Sequence, residues 1–222
     1  MESVRAELID YAEIRRAVEV ALDAGDLAKA KERLEQLVAH PDTTRDASEN
    51  TFLYRSLGRL YQEIGMDDES LQALIQAYAF DSRDRLVLES MAKAAIAGYR
   101  LEDPMGVLQR LLVHHRHDLK SGFVAQVYRF VGAQHQAAGE PEHARVAYEK
   151  ALENAPGDMD VINALLGIAE QSGDDQAMLS VREKLLASLS APESRAAVLV
   201  AMGDDLLKRA NDTVRAVDAF ER

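Results

Sequence analysis

The sequence predicts an all-α fold, a right-handed solenoid of stacked antiparallel helix hairpins. Three observations carry this expectation. Gly58, Gly65, Ser70, Leu74 and Ala77 recur as Gly132, Gly139, Ala144, Tyr148 and Ala151, each 74 residues further on (132 − 58 = 74; 151 − 77 = 74), and a fixed offset of this kind marks an internal repeat. Between these marks the apolar residues follow a helical period. The 222 residues are 47% hydrophobic but only 5% aromatic, without Trp. Such a chain builds an aliphatic, Ala-rich interior, which suits closely approaching helices. Five prolines and twelve glycines leave little room for long loops.

In chain order, the first window covers residues 11–44. It places Ile14, Ala17, Val18 and Ala21 before a Gly25-Asp26 turn, and Ala30, Leu34 and Leu37 after it. In window 51–84, Tyr54, Leu57, Gly58 and Tyr61 fall at i, i+3, i+4 and i+7. Gly65-Met66-Asp67-Asp68 then breaks the helix, and Leu71, Leu74, Ile75 and Tyr78 resume it. Gly58 lets a partner helix approach closely, which offsets the roughly 1 kcal/mol of helix propensity it forfeits. Asp67 or Asp68 is expected to cap the second helix by accepting from its free N–H groups.

Window 85–118 has Leu88, Met91, Ala92 and Ala95 before Val107, Leu108, Leu111 and Leu112. Window 125–158 restates the second one with Tyr128, Val131, Gly132, Ala144, Tyr148, Ala151 and a closing Pro156. Window 159–191 carries Ile162, Leu165, Leu166 and Ala169, then Leu179, Val181, Leu185 and Leu186. The last, 194–222, has Leu199, Met202 and Gly203, a hinge one residue longer, then Ala216 and Phe220. This final hairpin reads as unfinished, so the chain is expected to be a fragment of a longer repeat protein, or to have its end covered by a partner. The junctions 41–47 and 114–120 are expected to be loops within one solenoid spanning 1–222, not domain boundaries.

The helix, short turn, helix pattern of residues 51–84 and 125–158 resembles the tetratricopeptide repeat, a unit of about 34 residues. Its large, large, small, large positions fall on Tyr54, Leu57, Gly58 and Tyr61, and its small, large, small positions on Ser70, Leu74 and Ala77. The run from Gly139 to Ala144 followed by Tyr148-Glu149-Lys150-Ala151 strengthens the likeness, while His135 stands where an apolar or aromatic residue is usual. With this resemblance, the alternation of family-like and divergent windows is what is expected of a divergent bacterial branch of that family.

The resemblance implies that first helices line a concave groove that binds a protein or peptide. Its inward positions would fall on Arg15, Arg55, Glu89, Arg129 and Asn163, then on Glu19, Arg59, Lys93, Ala133 and Gly167, with Gln62 and Gln136 next. Arg15, Arg55, Arg59, Lys93, Arg129, Gln62, Gln136 and Asn163 are therefore the candidate partner-binding residues. Arg55, Arg59, Lys93 and Arg129 would form a basic patch that focuses its field on an acidic partner. The competing reading is that these arginines pair with Glu63, Glu89 and similar neighbours. Capture of a C-terminal carboxylate is not expected, because Ser56 and Ser90 replace the asparagines such a clamp needs.

A formal charge of −12 argues against nonspecific nucleic-acid or anionic-membrane binding. No stretch of about 18 apolar residues predicts membrane insertion. With no cysteine there is neither a disulfide, a thiolate nucleophile nor a cysteine-bound zinc. No phosphate-cradling loop, HExxH run or nucleophile elbow is present, so no catalysis and no cofactor are expected.

The run His114-His115-Arg116-His117-Asp118 has metal-ligating residue types, but consecutive helical residues diverge and Arg116 repels a cation. No metal is expected there. His135 is expected to pack between repeats, and His40 and His143 to be surface residues. Asp204-Asp205 is expected to face solvent, and the repeated tyrosines to pack. The functional expectation is a protein-interaction scaffold. The alternative is a structural or self-assembly module of a larger complex, envelope-associated if its parent is exported. The chain itself reads as cytoplasmic, or periplasmic given an export signal on its parent; oligomeric state stays open.

Overall fold

The computed structural model describes residues 11–39, 45–208 and 212–222. Among these, twelve α-helices follow one another: α1 Tyr11–Asp23, α2 Leu27–Ala39, α3 Ala47–Glu63, α4 Asp67–Phe80, α5 Arg85–Ile96, α6 Pro104–His115, α7 Ser121–Ala137, α8 Pro141–Asn154, α9 Met159–Ser172, α10 Asp175–Ser188, α11 Pro192–Lys208 and α12 Thr213–Glu221. They pair as six antiparallel hairpins, α1 with α2 through α11 with α12. This is the stacked-hairpin solenoid class the periodicity predicts. His40, residues 41–44 of the first expected loop and residues 209–211 of the last hinge lie outside the described residues, as do the side chains of Tyr11 and Ile14. The chain divides into two compact units at the His115–Arg116 junction, where the sequence leads one to expect a loop over 114–120 without a division; α6 runs through His115, and a 3-10 turn covers Arg116–Asp118.

In the first unit, Val18, Ala21, Leu22, Ala30, Leu34 and Leu37 pack with Phe52, Leu53, Leu57 and Leu60, and Tyr54 and Tyr61 lie against this core. Tyr54 also stacks on Phe80 with ring centroids 5.8 Å apart. In the second unit Tyr128 and Tyr148 are buried, as are Val124, Val127, Ala144, Ala147 and Ala151.

The 74-residue offset has a mechanical meaning. A Cβ on Gly58 would lie 2.9 Å from Leu74 Cγ, and one on Gly132 would lie 2.7 Å from the Tyr148 ring. Each glycine is therefore the seat of the large residue sixteen positions on. The pairing extends to Gly203, where a Cβ would lie 2.4 Å from the Phe220 ring. There the spacing is seventeen, matching the longer hinge. Ser70 reinforces its pair by donating to the Gly58 carbonyl at 2.7 Å, in a buried position.

The hairpin turns are built alike. Gly65 and Gly139 have φ of 77° and 75°, left-handed values that favour glycine. Around Gly139, the Glu140 N–H donates to the His135 carbonyl (2.9 Å) and the Gly139 N–H to that of Gln136 (3.1 Å). Around Gly65, Met66 donates to Tyr61 (2.8 Å) and Gly65 to Gln62 (3.2 Å). Both are Schellman closures that satisfy the last carbonyls of the preceding helix.

Several local expectations are corrected. Met66, not an aspartate, occupies the N-cap of α4, without a side-chain cap bond. Asp67 instead accepts from the Tyr99 hydroxyl at 2.5 Å, which raises that phenol above its ordinary pKa. Aspartates do cap other helices, among them Asp46, Asp84, Asp158, Asp174 and Asp212. Ile75 is exposed, because the buried face of α4 runs through Ser70, Ala73, Leu74 and Ala77. In α10, Met178 takes the buried place expected of Leu179. Asp205 does not face solvent alone: it pairs with Arg182 of α10 at 2.8 Å, and both are largely covered.

Candidate functional site

Helices α1, α3 and α5 are the first helices of the three hairpins in the first unit, and their polar faces surround one depression of about 470 Å³. It gathers Arg55, Arg59, Gln62 and Lys93 from the candidate residues, with Glu19, Asp23 and Glu89 opposite in charge and Phe52, Leu22 and Leu86 as apolar lining. Ser56 and Ser90 also line it. Three cationic side chains thus meet three carboxylates. The guanidinium of Arg15 lies over the Phe52 ring at 4.6 Å, and that of Arg55 at 5.9 Å, so Phe52 offers both an apolar surface and a π-face.

The arginines are not equivalent. Arg55 donates to Asp84 at 2.7 Å, from α3 to the residue that caps α5 by accepting from the Val87 N–H (2.9 Å). Arg129 of α7 reaches Asp158, the cap of α9, at 3.5 Å, and Asp160 at 3.2 Å. The two pairs are themselves repeats, since 129 − 55 = 74 and 158 − 84 = 74. Each arginine ties one hairpin to the first helix of the next, while the same carboxylate holds that helix's free amides. The sequence offers both a groove role and an ion-pair role for Arg55 and Arg129, the latter with Glu63, Glu89 and similar neighbours; the pairs formed are instead with Asp84 and Asp158, whose shared 74-residue offset marks them as a repeat feature.

Arg59 is more exposed and pairs with Glu63 (3.0 Å) along α3 and with Asp23 (3.7 Å). Arg15 pairs with Glu19 at 3.3 Å. Glu89 is engaged by Arg85. Gln62 and Lys93 are exposed at the rim. Gln136, in the second unit, accepts from the Tyr148 hydroxyl at 3.0 Å, which ties it to packing. Asn163 is exposed on α9.

His135, which the sequence expects to pack between repeats, is partly buried and also carries a polar partner. Its Nδ1 lies 2.7 Å from Glu140 Oε2, and that hydrogen bond holds the Glu140 carboxyl below its ordinary pKa. His143 Nδ1 lies 3.6 Å from the same oxygen. His114 and His115 meet edge to face, and His115 Nε2 lies 2.8 Å from the Arg83 carbonyl. No helix among the described residues is long and apolar enough to cross a membrane.

Glycine-seated hairpins closed by left-handed turns and tied by arginine staples define a stacked-hairpin repeat protein of tetratricopeptide-like fold. Known structures share that fold. A structure of MamA (AMB-1) matches with a TM-score of 0.59 at 19% identity, covering 83% of this chain and 96% of that one. A mutant form of MamA gives 0.57 at 18%, with 80% and 96% covered. A tetratricopeptide repeat protein from Parabacteroides merdae gives 0.53 at 16%, with 95% and 77% covered. At these identities the likeness establishes the fold. No protein-family model matches the chain, and no curated protein matches it.

Proposed function

We propose that this chain is a non-catalytic protein-interaction scaffold that holds a peptide or protein segment against the depression formed by α1, α3 and α5. The observation that carries the reading is the union there of exposed Arg59, Gln62 and Lys93 with the apolar lining of Phe52, Leu22 and Leu86. A rigid, preformed face of this kind binds with little loss of receptor entropy. Arg59 is satisfied by flexible surface carboxylates, whose exposed pairs contribute only about 0.2–1 kcal/mol. An acidic partner can exchange with them at small cost. Arg55 contributes indirectly, by holding α5 beside α3.

The experiment is peptide binding by fluorescence anisotropy, at low and high salt, with R59S/K93S and R55S variants. Binding that weakens with salt and with R59S/K93S supports the placement; salt-dependent binding to acidic peptides that survives R59S/K93S overturns it. A second reading, self-assembly, is favoured by exposed Val214, Val217 and Phe220 on α12. Light scattering separates the two: a constant monomer mass up to high concentration excludes it.

A further inference from the structure

The two hairpin turns that repeat at an offset of 74 share one backbone but not one chemistry. In the first, the residues that close the Schellman turn are Tyr61 and Met66, the apolar pair such a turn favours, with Glu69 one turn along. In the second, the same three positions are His135, Glu140 and His143 (135 − 61 = 74; 140 − 66 = 74; 143 − 69 = 74). The fold therefore does not need imidazoles and a carboxylate there. It forms the same turn with a tyrosine and a methionine in place of His135 and Glu140.

We propose that His135, Glu140 and His143 form a binding site for a borderline divalent cation of the zinc class, with the remaining coordination position open to solvent. Among the described residues this is the group of potential ligands whose donor atoms all come within 4.8 Å of one another. A tetrahedral zinc ion with bonds of about 2.0–2.2 Å sets its ligand atoms roughly 3.3 Å apart. The separations here, 2.7 Å from His135 Nδ1 and 3.6 Å from His143 Nδ1 to Glu140 Oε2, bracket that value. The two imidazole rings are 5.3 Å apart at their centroids and tilted by 40°, so they converge on the carboxylate without stacking flat.

Preorganisation comes from the backbone. The N–H of Glu140 is bonded to the carbonyl of His135, which fixes two ligands across the turn. Pro141, at the start of α8, limits the chain that follows Glu140 and leads to His143. The turn joins the C-terminal end of α7 to the N-terminal end of α8, so the opposed helix dipoles largely offset one another at a bound cation. Two imidazoles and one carboxylate are the donor set of open zinc sites, which retain a position for water. Glu140 and His143 are half to three-quarters exposed, which gives the ion direct access from solvent.

The test is titration of the full chain with Co²⁺ alone, followed by its visible d–d absorption, then displacement by Zn²⁺. The expected result is one saturable equivalent. The variants E140Q and H143Q should each weaken it by at least about tenfold, the lower edge of what even an outer-shell loss produces. Zn²⁺ should raise the melting temperature of the parent and not that of H143Q, whose exposed position leaves folding intact. H114Q/H115Q/H117Q should bind like the parent. Absence of saturable binding, binding indifferent to E140Q and H143Q, or binding abolished by the triple variant overturns the site. None of these outcomes touches the α1, α3, α5 face.

Discussion

Replacing Gly132 by alanine isolates the packing rule that the repeat encodes. The added methyl would lie 2.7 Å from two atoms of the Tyr148 ring, whereas carbon pairs prefer about 3.5–4.0 Å. The ring must therefore move by roughly 1 Å. It is poorly placed to do so, being 4% exposed with its hydroxyl held by Gln136. Overpacking of this kind costs about 1–3 kcal/mol, and the better helix propensity of alanine returns about 0.8–1.0. The net is a destabilisation between about 0 and 2 kcal/mol. Gly167 is the internal control: it also lies within a helix, yet a Cβ there meets nothing within 4 Å. G167A should therefore stabilise by about 0.8–1.0 kcal/mol. At about 2–4 °C per kcal/mol for a chain of this size, the two variants should be separated by between about 2 and 12 °C in a thermal melt. In a Y148A background the penalty of G132A should vanish, a coupling of about 1–3 kcal/mol. Equal effects of G132A and G167A, or a penalty unchanged by Y148A, would show that the Tyr148 ring does not depend on its glycine seat.

Three further outcomes follow from the same geometry. G203A should be milder than G132A, since Phe220 is 46% exposed and can turn away from the new methyl; comparison of urea midpoints checks this. D84N, which keeps capping ability but loses the charge facing Arg55, should cost about 1 kcal/mol, and D84A about 1 kcal/mol more through loss of the cap; nearly equal midpoints for D84N and D84A would show that the cap contributes nothing. Asp212 is held below the ordinary aspartate pKa, first by the Arg215 backbone N–H and then by its side chain. A depressed folded-state value means that its contribution is present above the unfolded-state pKa and lost as pH falls through the folded one. Carboxyl NMR should show Asp212 titrating low, and D212N should remove that portion of the acid sensitivity.

Much of the framework was legible because close packing leaves a trace in residue size. Gly58 with Leu74 and Gly132 with Tyr148 are a void and its filler, and periodicity alone locates them. Phe220 over Gly203 was equally readable once the longer hinge was counted. Polar partnerships were less so, because charge does not specify its partner along a chain rich in both signs. Ion pairing of Arg55 and Arg129 is legible as one of two readings, but the partners are Asp84 and Asp158 rather than Glu63 or Glu89. Asp205 read as solvent-facing because Arg182 lies on another helix. Asp67 failed as a cap because the turn puts Met66 at that position. The His135, Glu140 and His143 cluster escaped notice for a different reason: each residue has a bland explanation alone, and only the closed turn brings them together.

Scaffolding by the first unit stands or falls on whether Arg59 and Lys93 of the α1, α3, α5 face contact a partner while Arg55 supports that face. The decisive experiment is anisotropy with peptides selected from a random display library on the parent chain, repeated with R59S/K93S and with R55K, each verified as folded. The expected outcome is at least a tenfold loss, the size of about 1.4 kcal/mol, for R59S/K93S, and near-parent affinity for R55K. Equal binding by the parent and R59S/K93S would contradict it.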